Sequence, residues 1–203
     1  MRASYFALSL VSLALAAPAL AQGSGPYGSL GLGVVGAQTG ERGDEFAATT
    51  ALARVGYDIG NYFGVEIEGA LGLGGSGQTS TGGPPEFAQI VDFDYAGDAG
   101  LFVRGRVPVG DTAELFARAG FGGRWFDRRI ENNFGPGQQS IIENGQGDGY
   151  LGLGAGVQIG LGASGRDALR LDYTYRAFTV LIEDDANDTY SENAVSLAYV
   201  RRF

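Results

Sequence analysis

The chain has 203 residues, a net charge of −9, no Cys and no His, and every basic residue is Arg. The missing Cys excludes a disulfide framework, a thiolate nucleophile and an iron–sulfur site. The missing His removes the commonest general base and metal ligand, and the acidic balance argues against nucleic acid, which selects basic surfaces.

Residues 1–21 read as a secretory signal peptide. Arg2 supplies the positive start, residues 7–17 are almost wholly apolar, and Ala19-Leu20-Ala21 is a small-x-small cleavage pattern. The mature chain is then 22–203, a length that suits one domain. Beyond residue 22 no run of about 18 apolar residues occurs, so helical spans are excluded. The 36 Gly alternate with Leu, Val, Ala and Tyr rather than with Ser and Pro, which is not the pattern of a linker.

Period-two alternation, the signature of strands, recurs eight times. Around 27–37, Leu30, Leu32 and Val34 oppose Gly31 and Gly33. Around 46–58, Ala51, Ala53, Val55 and Tyr57 oppose Arg54, Gly56 and Asp58. Around 63–73, Phe63, Val65, Ile67, Leu71 and Leu73 oppose Glu66, Glu68 and Gly72. The fourth strand, 91–107, is the least regular. Leu101 and Val103 oppose Phe102, Arg104 and Arg106, and its upper part sets Val91, Phe93 and Tyr95 against Asp92 and Asp94.

Around 113–126, Leu115, Ala117, Ala119, Phe121 and Trp125 oppose Glu114, Phe116, Arg118 and Arg124. Around 150–161, Leu151, Leu153, Val157 and Ile159 oppose Gly152, Gly154, Gly156 and Gln158. Around 168–178, Leu169, Leu171, Tyr173 and Tyr175 oppose Arg170, Asp172, Thr174 and Arg176. The last strand, 193–203, sets Val195, Leu197, Tyr199 and Phe203 against Ala194, Ser196, Ala198 and Arg202.

The connections alternate strictly. Those at 59–62, 108–112 and 162–166 are short, and those at 38–45, 74–90, 127–149 and 179–192 are long and polar. A soluble sandwich has no reason to alternate this way, whereas a membrane barrel has short periplasmic turns and long extracellular loops. The fold expected is all-β, an eight-stranded antiparallel transmembrane β-barrel with four longer extracellular loops. Aromatics near strand ends (Tyr57, Tyr62 and Phe63 at one end, Phe93, Tyr95, Trp125 and Phe126 at the other) fit interfacial girdles.

Other chemistry is disfavoured. Gly31/Gly33/Gly36 and Gly72/Gly74/Gly77 match G-x-G-x-x-G, yet no helix opens at the third Gly, so no dinucleotide is expected. Glu66/Glu68 and Asp92/Asp94 each share one strand face. They suit ion pairing with Arg across a lumen better than acid–base catalysis. The run 183–188 lacks the Gly and terminal Glu of a calcium loop. No catalytic residue, metal or cofactor is expected.

The terminus Leu197-Ala198-Tyr199-Val200-Arg201-Arg202-Phe203 resembles the assembly signal of outer-membrane barrels, with Leu197, Tyr199 and Phe203 as its apolar positions and Arg201 as a departure from it. The segments at 57–66 and 171–176 are similar to strands of the small porin-like barrels of the OmpA-type or opacity-protein class. That resemblance implies the bacterial outer membrane, with its lipids, the insertion machinery and periplasmic chaperones as partners. It implies a non-enzymatic role, structural or in surface interaction with an unspecified ligand. A narrow channel for small solutes is the alternative; an outer-membrane hydrolase is the second, without the His or Lys that would activate it.

Alternation places Arg54, Glu66, Glu68, Arg104, Arg106, Glu114, Arg118, Arg124, Arg170, Asp172 and Arg176 on faces away from lipid, as a network of ion pairs. The Gly rows of strands one and six are expected to make room for Arg118, Arg124, Arg170 and Arg176.

Overall fold

A computed structural model describes residues 24–38, 45–82, 88–133, 139–162, 165–178 and 191–203. The signal peptide expected at 1–21 and the acidic run at 183–188 lie outside the described residues. The strands are β1 (Gly25–Gln38), β2 (Glu45–Ile59), β3 (Phe63–Gly74), β4 (Ser76–Gly82), β5 (Ala88–Val109), β6 (Ala113–Asn133), β7 (Gln139–Leu161), β8 (Asp167–Phe178) and β9 (Ser191–Arg202).

Apart from β3 and β4, which do not pair with each other, consecutive strands pair antiparallel, and β1 also pairs with β9, from Tyr27 opposite Arg202 to Gln38 opposite Ser191. β3 pairs with β5, from Phe63 opposite Gly105 to Leu71 opposite Gly97, while β4 continues the ladder of β5 above it. Segments β3 and β4 are therefore one barrel position broken at Gly75, and the sheet closes as eight strands. The break needs glycine. Gly75 has φ +126°, and a Cβ there would stand 2.2 Å from the carbonyl oxygen of Ala47. The turns at 60–62 and 110–112 each open on a Gly with positive φ, Gly60 at +61° and Gly110 at +64°, a conformation other residues adopt at a cost.

Two of the long connections are shorter than the sequence suggests. Much of 127–149 is ladder, because β6 runs to Asn133 and β7 starts at Gln139. Most of 74–90 is ladder too, through β4 and the start of β5. Polar residues alternate poorly, so these extensions carry no hydrophobic period to read. β5, β6 and β7, at 22, 21 and 23 residues, far exceed the roughly 9–11 that a tilted spanning strand needs. They project beyond the barrel on the side away from the chain ends.

The faces separate as the pleat requires. Leu30, Leu32, Ile67, Val103, Phe121, Leu151, Leu153 and Leu197 are exposed on the outside, and nearly all the charge of the spanning ladder is inside. An apolar belt around a charged interior is the inverse of a soluble core, and it suits lipid as the outer solvent. Trp125, Tyr62 and Phe63 are exposed near the belt's rims.

Two placements differ from the sequence reading. Tyr95 points inward and is 6% exposed, whereas Asp94 is exposed on the outer face. The cause is a β-bulge. Tyr95 sits opposite Phe126 and Gly97 opposite Trp125, so Ala96 has no counterpart and parity flips above it. Tyr95 thus leaves the outer girdle and Asp94 leaves the lumen. The side chains of Asp92 and Phe93 fall outside the described ones.

Candidate functional site: an ion-paired lumen

The lumen is filled by side chains that the pleat directs inward from every strand. At mid-height, Glu66 on β3 is the hub. Its Oε1 accepts from Arg118 Nη1 at 2.9 Å and Arg170 Nη2 at 3.2 Å, and its Oε2 accepts from the Tyr27 hydroxyl at 2.7 Å. Glu68, one pleat higher, accepts from Arg118 Nη1 at 2.6 Å and Arg176 Nη2 at 3.2 Å, and also pairs with Arg54 Nε. Asp172 on β8 accepts from Arg54 Nη2 at 3.1 Å and Arg118 Nη2 at 3.3 Å, with Arg170 Nε at 3.2 Å from its other oxygen.

Nearer the chain ends, Asp58 pairs with Arg104 at 2.7 Å and Arg106 at 3.0 Å, and Glu114 pairs with Arg106 and Arg202 at 3.1 Å each. Towards the projecting strands, Arg176 bridges Asp98 at 2.9 Å and Glu192 at 2.7 Å. Arg124 bonds Glu192, and Tyr95 donates to Asp98.

Most of these groups are almost wholly removed from solvent; Arg170 and Glu192 are 0% exposed. Isolated buried charges would be very costly, but pairing and added hydrogen bonds offset desolvation. The geometry helps, since a planar guanidinium reaches two or three carboxylates at once. Arg118 alone reaches Glu66, Glu68 and Asp172.

Aromatic rings fill the gaps. Arg118 lies 4.4 Å from the Phe102 ring, Arg170 4.2 Å from Phe116, and Arg124 4.1 Å from Phe178. These are cation–π distances. The Gly row of β7 makes room chiefly for rings, which corrects the expectation that it serves the guanidiniums. A Cβ at Gly156 would meet Phe116 at 2.5 Å and one at Gly152 would meet Phe102 at 2.9 Å. Gly154 alone in that row abuts a guanidinium-bearing side chain, the stem of Arg118 at 3.1 Å. The Gly row of β1 faces its neighbours instead: Gly31 abuts Ala198 and Gly33 abuts Thr50. The layering is glycine, then ring, then guanidinium.

All eleven residues expected in the network stand inside the barrel and in ion pairs. The structure adds Asp58, Asp98, Asp148, Glu192 and Arg202 as charged partners, and Tyr27 and Tyr95 as hydroxyl donors. Asp58 and Arg202 carried a signal, since both alternate onto inner faces. Glu192 and Asp148 sit in stretches whose polarity resembles loop, and Asp98 adjoins the bulge. Of the assembly-signal residues, Leu197 and Tyr199 face outward, and the Phe203 backbone N–H donates to the Pro26 carbonyl at 3.1 Å.

A closed antiparallel barrel with an apolar outside and a charged inside defines the class as an outer-membrane β-barrel. The outer membrane protein beta-barrel domain matches residues 7–203, and the chain belongs to that family. Its place is the bacterial outer membrane, among barrels that serve as surface or channel proteins. No curated protein sequence matches the chain.

Among solved structures, Neisserial surface protein A is 15% identical, covering 90% of this chain and 100% of that one, with a TM-score of 0.52. OprG of Pseudomonas aeruginosa is 11% identical, covering 89% and 97%, at 0.51. Ail of Yersinia pestis, the attachment invasion locus protein, solved with the heparin analogue sucrose octasulfate, is 16% identical, covering 88% and 99%, at 0.50. Likeness at these identities is likeness of fold.

Proposed function

We propose that the protein is a non-enzymatic outer-membrane barrel with a closed lumen, serving as a rigid mount for an extracellular interaction surface. The observation that carries this reading is the filled interior. The cavity between its charged layers measures about 20 Å³, room for about one water molecule. A solute path would need a continuous opening instead. The lumen carboxylates are engaged by guanidiniums, and the chain has no His or Lys to activate a nucleophile.

Charge distribution favours a particular kind of partner. Ion-paired guanidiniums and carboxylates in the lumen are equal in number, so the net −9 resides elsewhere. On the projecting side, Asp94, Asp127 and Glu143 are exposed beside Arg129, and the connecting stretches of the sequence carry Glu41, Asp44, Glu86 and the acidic run 183–188 against Arg42. Such a surface repels polyanions of the kind bound by Ail and attracts cationic segments.

The test is binding to liposomes that display the refolded protein. A cationic peptide should bind with an affinity that falls as salt rises, and sucrose octasulfate should not bind. Tight octasulfate binding with no affinity for the cationic peptide would overturn the surface reading. Release of products from lipid A or peptide substrates would overturn the non-enzymatic one.

The route to the membrane is part of the same proposal: cleavage after Ala21, periplasmic chaperones, and insertion guided by the terminal Leu197, Tyr199 and Phe203. Deleting Phe203 should lower the outer-membrane level while leaving the refolding yield in detergent unchanged. Equal outer-membrane levels would contradict it, and the mass of the mature chain checks the cleavage site.

A further inference from the structure

The cavity between the charged layers lies against a wall of small side chains. Gly33, Thr50, Ala70 and Ser196 line it together with guanidiniums and carboxylates of the network. Five polar atoms of the residues that line it have no hydrogen-bond partner within the protein: the donors Arg54 Nη1, Arg118 Nε and Arg176 Nε, and the acceptors Asp98 Oδ1 and Asp172 Oδ2. All five residues are deeply buried, at 4% exposure or less.

We infer that this cavity is a binding site for a single water molecule, which accepts from a guanidinium N–H of the wall left without a hydrogen bond and donates to a carboxylate oxygen left without one. The chemistry selects water over a monatomic ion. Chloride would face three carboxylates, those of Glu68, Asp98 and Asp172, and a metal cation would face three guanidiniums, those of Arg54, Arg118 and Arg176. A neutral molecule that both donates and accepts suits a wall that presents donors and acceptors together. The volume, about 20 Å³, exceeds the roughly 10–15 Å³ one water requires and admits little more. Bound there, the water adds to the link that Arg176 makes between Glu68 at mid-height and Asp98 above it.

The site sits behind buried side chains on both sides, Tyr27 below and Glu192 and Tyr95 above. Exchange therefore requires the barrel to open locally, and the water should reside long enough to behave as part of the protein.

Magnetisation transfer between water and the amide protons of Thr50 and Ser196, measured on the refolded full-length barrel in detergent micelles, tests this. The expected result is cross-peaks with the sign of a long-lived complex, unaffected by chloride concentration. Two variants fill the space from different strands. Gly33→Ala places a methyl 3.0 Å from Thr50 Oγ1, and Ala70→Val enlarges a lining side chain on β3. Both should abolish the cross-peaks. Should Gly33→Ala fail to fold, Ala70→Val carries the test alone. Absence of cross-peaks in the unaltered protein, their persistence in the filled variants, or their loss as chloride replaces a larger anion would each overturn the inference.

Discussion

Arg118 on β6 and Glu66 on β3 meet across the lumen, Nη1 to Oε1 at 2.9 Å, from positions 52 residues apart. Neither strand pairs with the other, so the contact belongs to the closed barrel and cannot form in an isolated hairpin. Arg118 also reaches Glu68, Asp172 and the Thr174 hydroxyl. Its removal strands several carboxylates at once.

Arg118→Ala should therefore destabilise the barrel by about 3–5 kcal/mol, the range for breaking a buried pair. Arg202→Ala is the contrast. Its side chain is 33% exposed where it pairs with Asp58 and Glu114, and its loss should amount to about 0–1 kcal/mol. Urea unfolding of both variants in the same detergent gives the comparison. Equal effects would mean that water reaches the lumen throughout.

Gly56 makes room for a ring. A Cβ there would lie 2.3 Å from the Tyr27 ring, and that ring carries the hydroxyl bonded to Glu66. Gly56→Ala should displace Tyr27 and destabilise by about 1–3 kcal/mol through overpacking. Tyr27→Phe should cost less, about 0.5–1.5 kcal/mol for one hydrogen bond. The temperature at which the folded band gives way to the unfolded one on a gel ranks them. A Gly56→Ala barrel as heat-resistant as the unaltered protein would contradict the close fit.

The bulge at Ala96 shifts the alternation of upper β5 by one residue. Deleting Ala96 leaves Tyr95 and Gly97 adjacent, opposite Phe126 and Trp125, so the ladder becomes regular while Tyr95 stays inward and Asp94 outward. The Tyr95–Asp98 bond should survive, and a lipid-phase quencher should reach tyrosine no better than in the unaltered protein. Increased quenching would mean that the upper strand slips by one residue instead, which would turn Tyr95 outward.

Much of this architecture is legible in the sequence, because a barrel wall in lipid must alternate at every position. Leu151, Leu153, Arg170 and Arg176 could be assigned a face from spacing alone. Tyr95 could not, because an extra residue beside Ala96 and Gly97 leaves no mark in a stretch already short of large apolar side chains. Glu192 and Asp148 were hidden for a different reason. Polar residues that line a lumen look the same as polar residues in a loop once the outward partners are Gly, Ser or Asn. The pairing of each guanidinium is likewise a property of the closed barrel, as with Arg176, whose partner Asp98 lies 78 residues away. The sequence yields the row of charges, but closure decides which carboxylate each one meets.

Conductance of the pure refolded protein in planar bilayers tests the central claim, that the ion-paired lumen is closed, most directly. The account predicts a silent baseline for the unaltered chain across repeated preparations. It predicts openings when the hub is emptied by Glu66→Ser with Arg118→Ser, provided that the variant keeps its heat-modifiable mobility. Steady, uniform openings by the unaltered protein would contradict it.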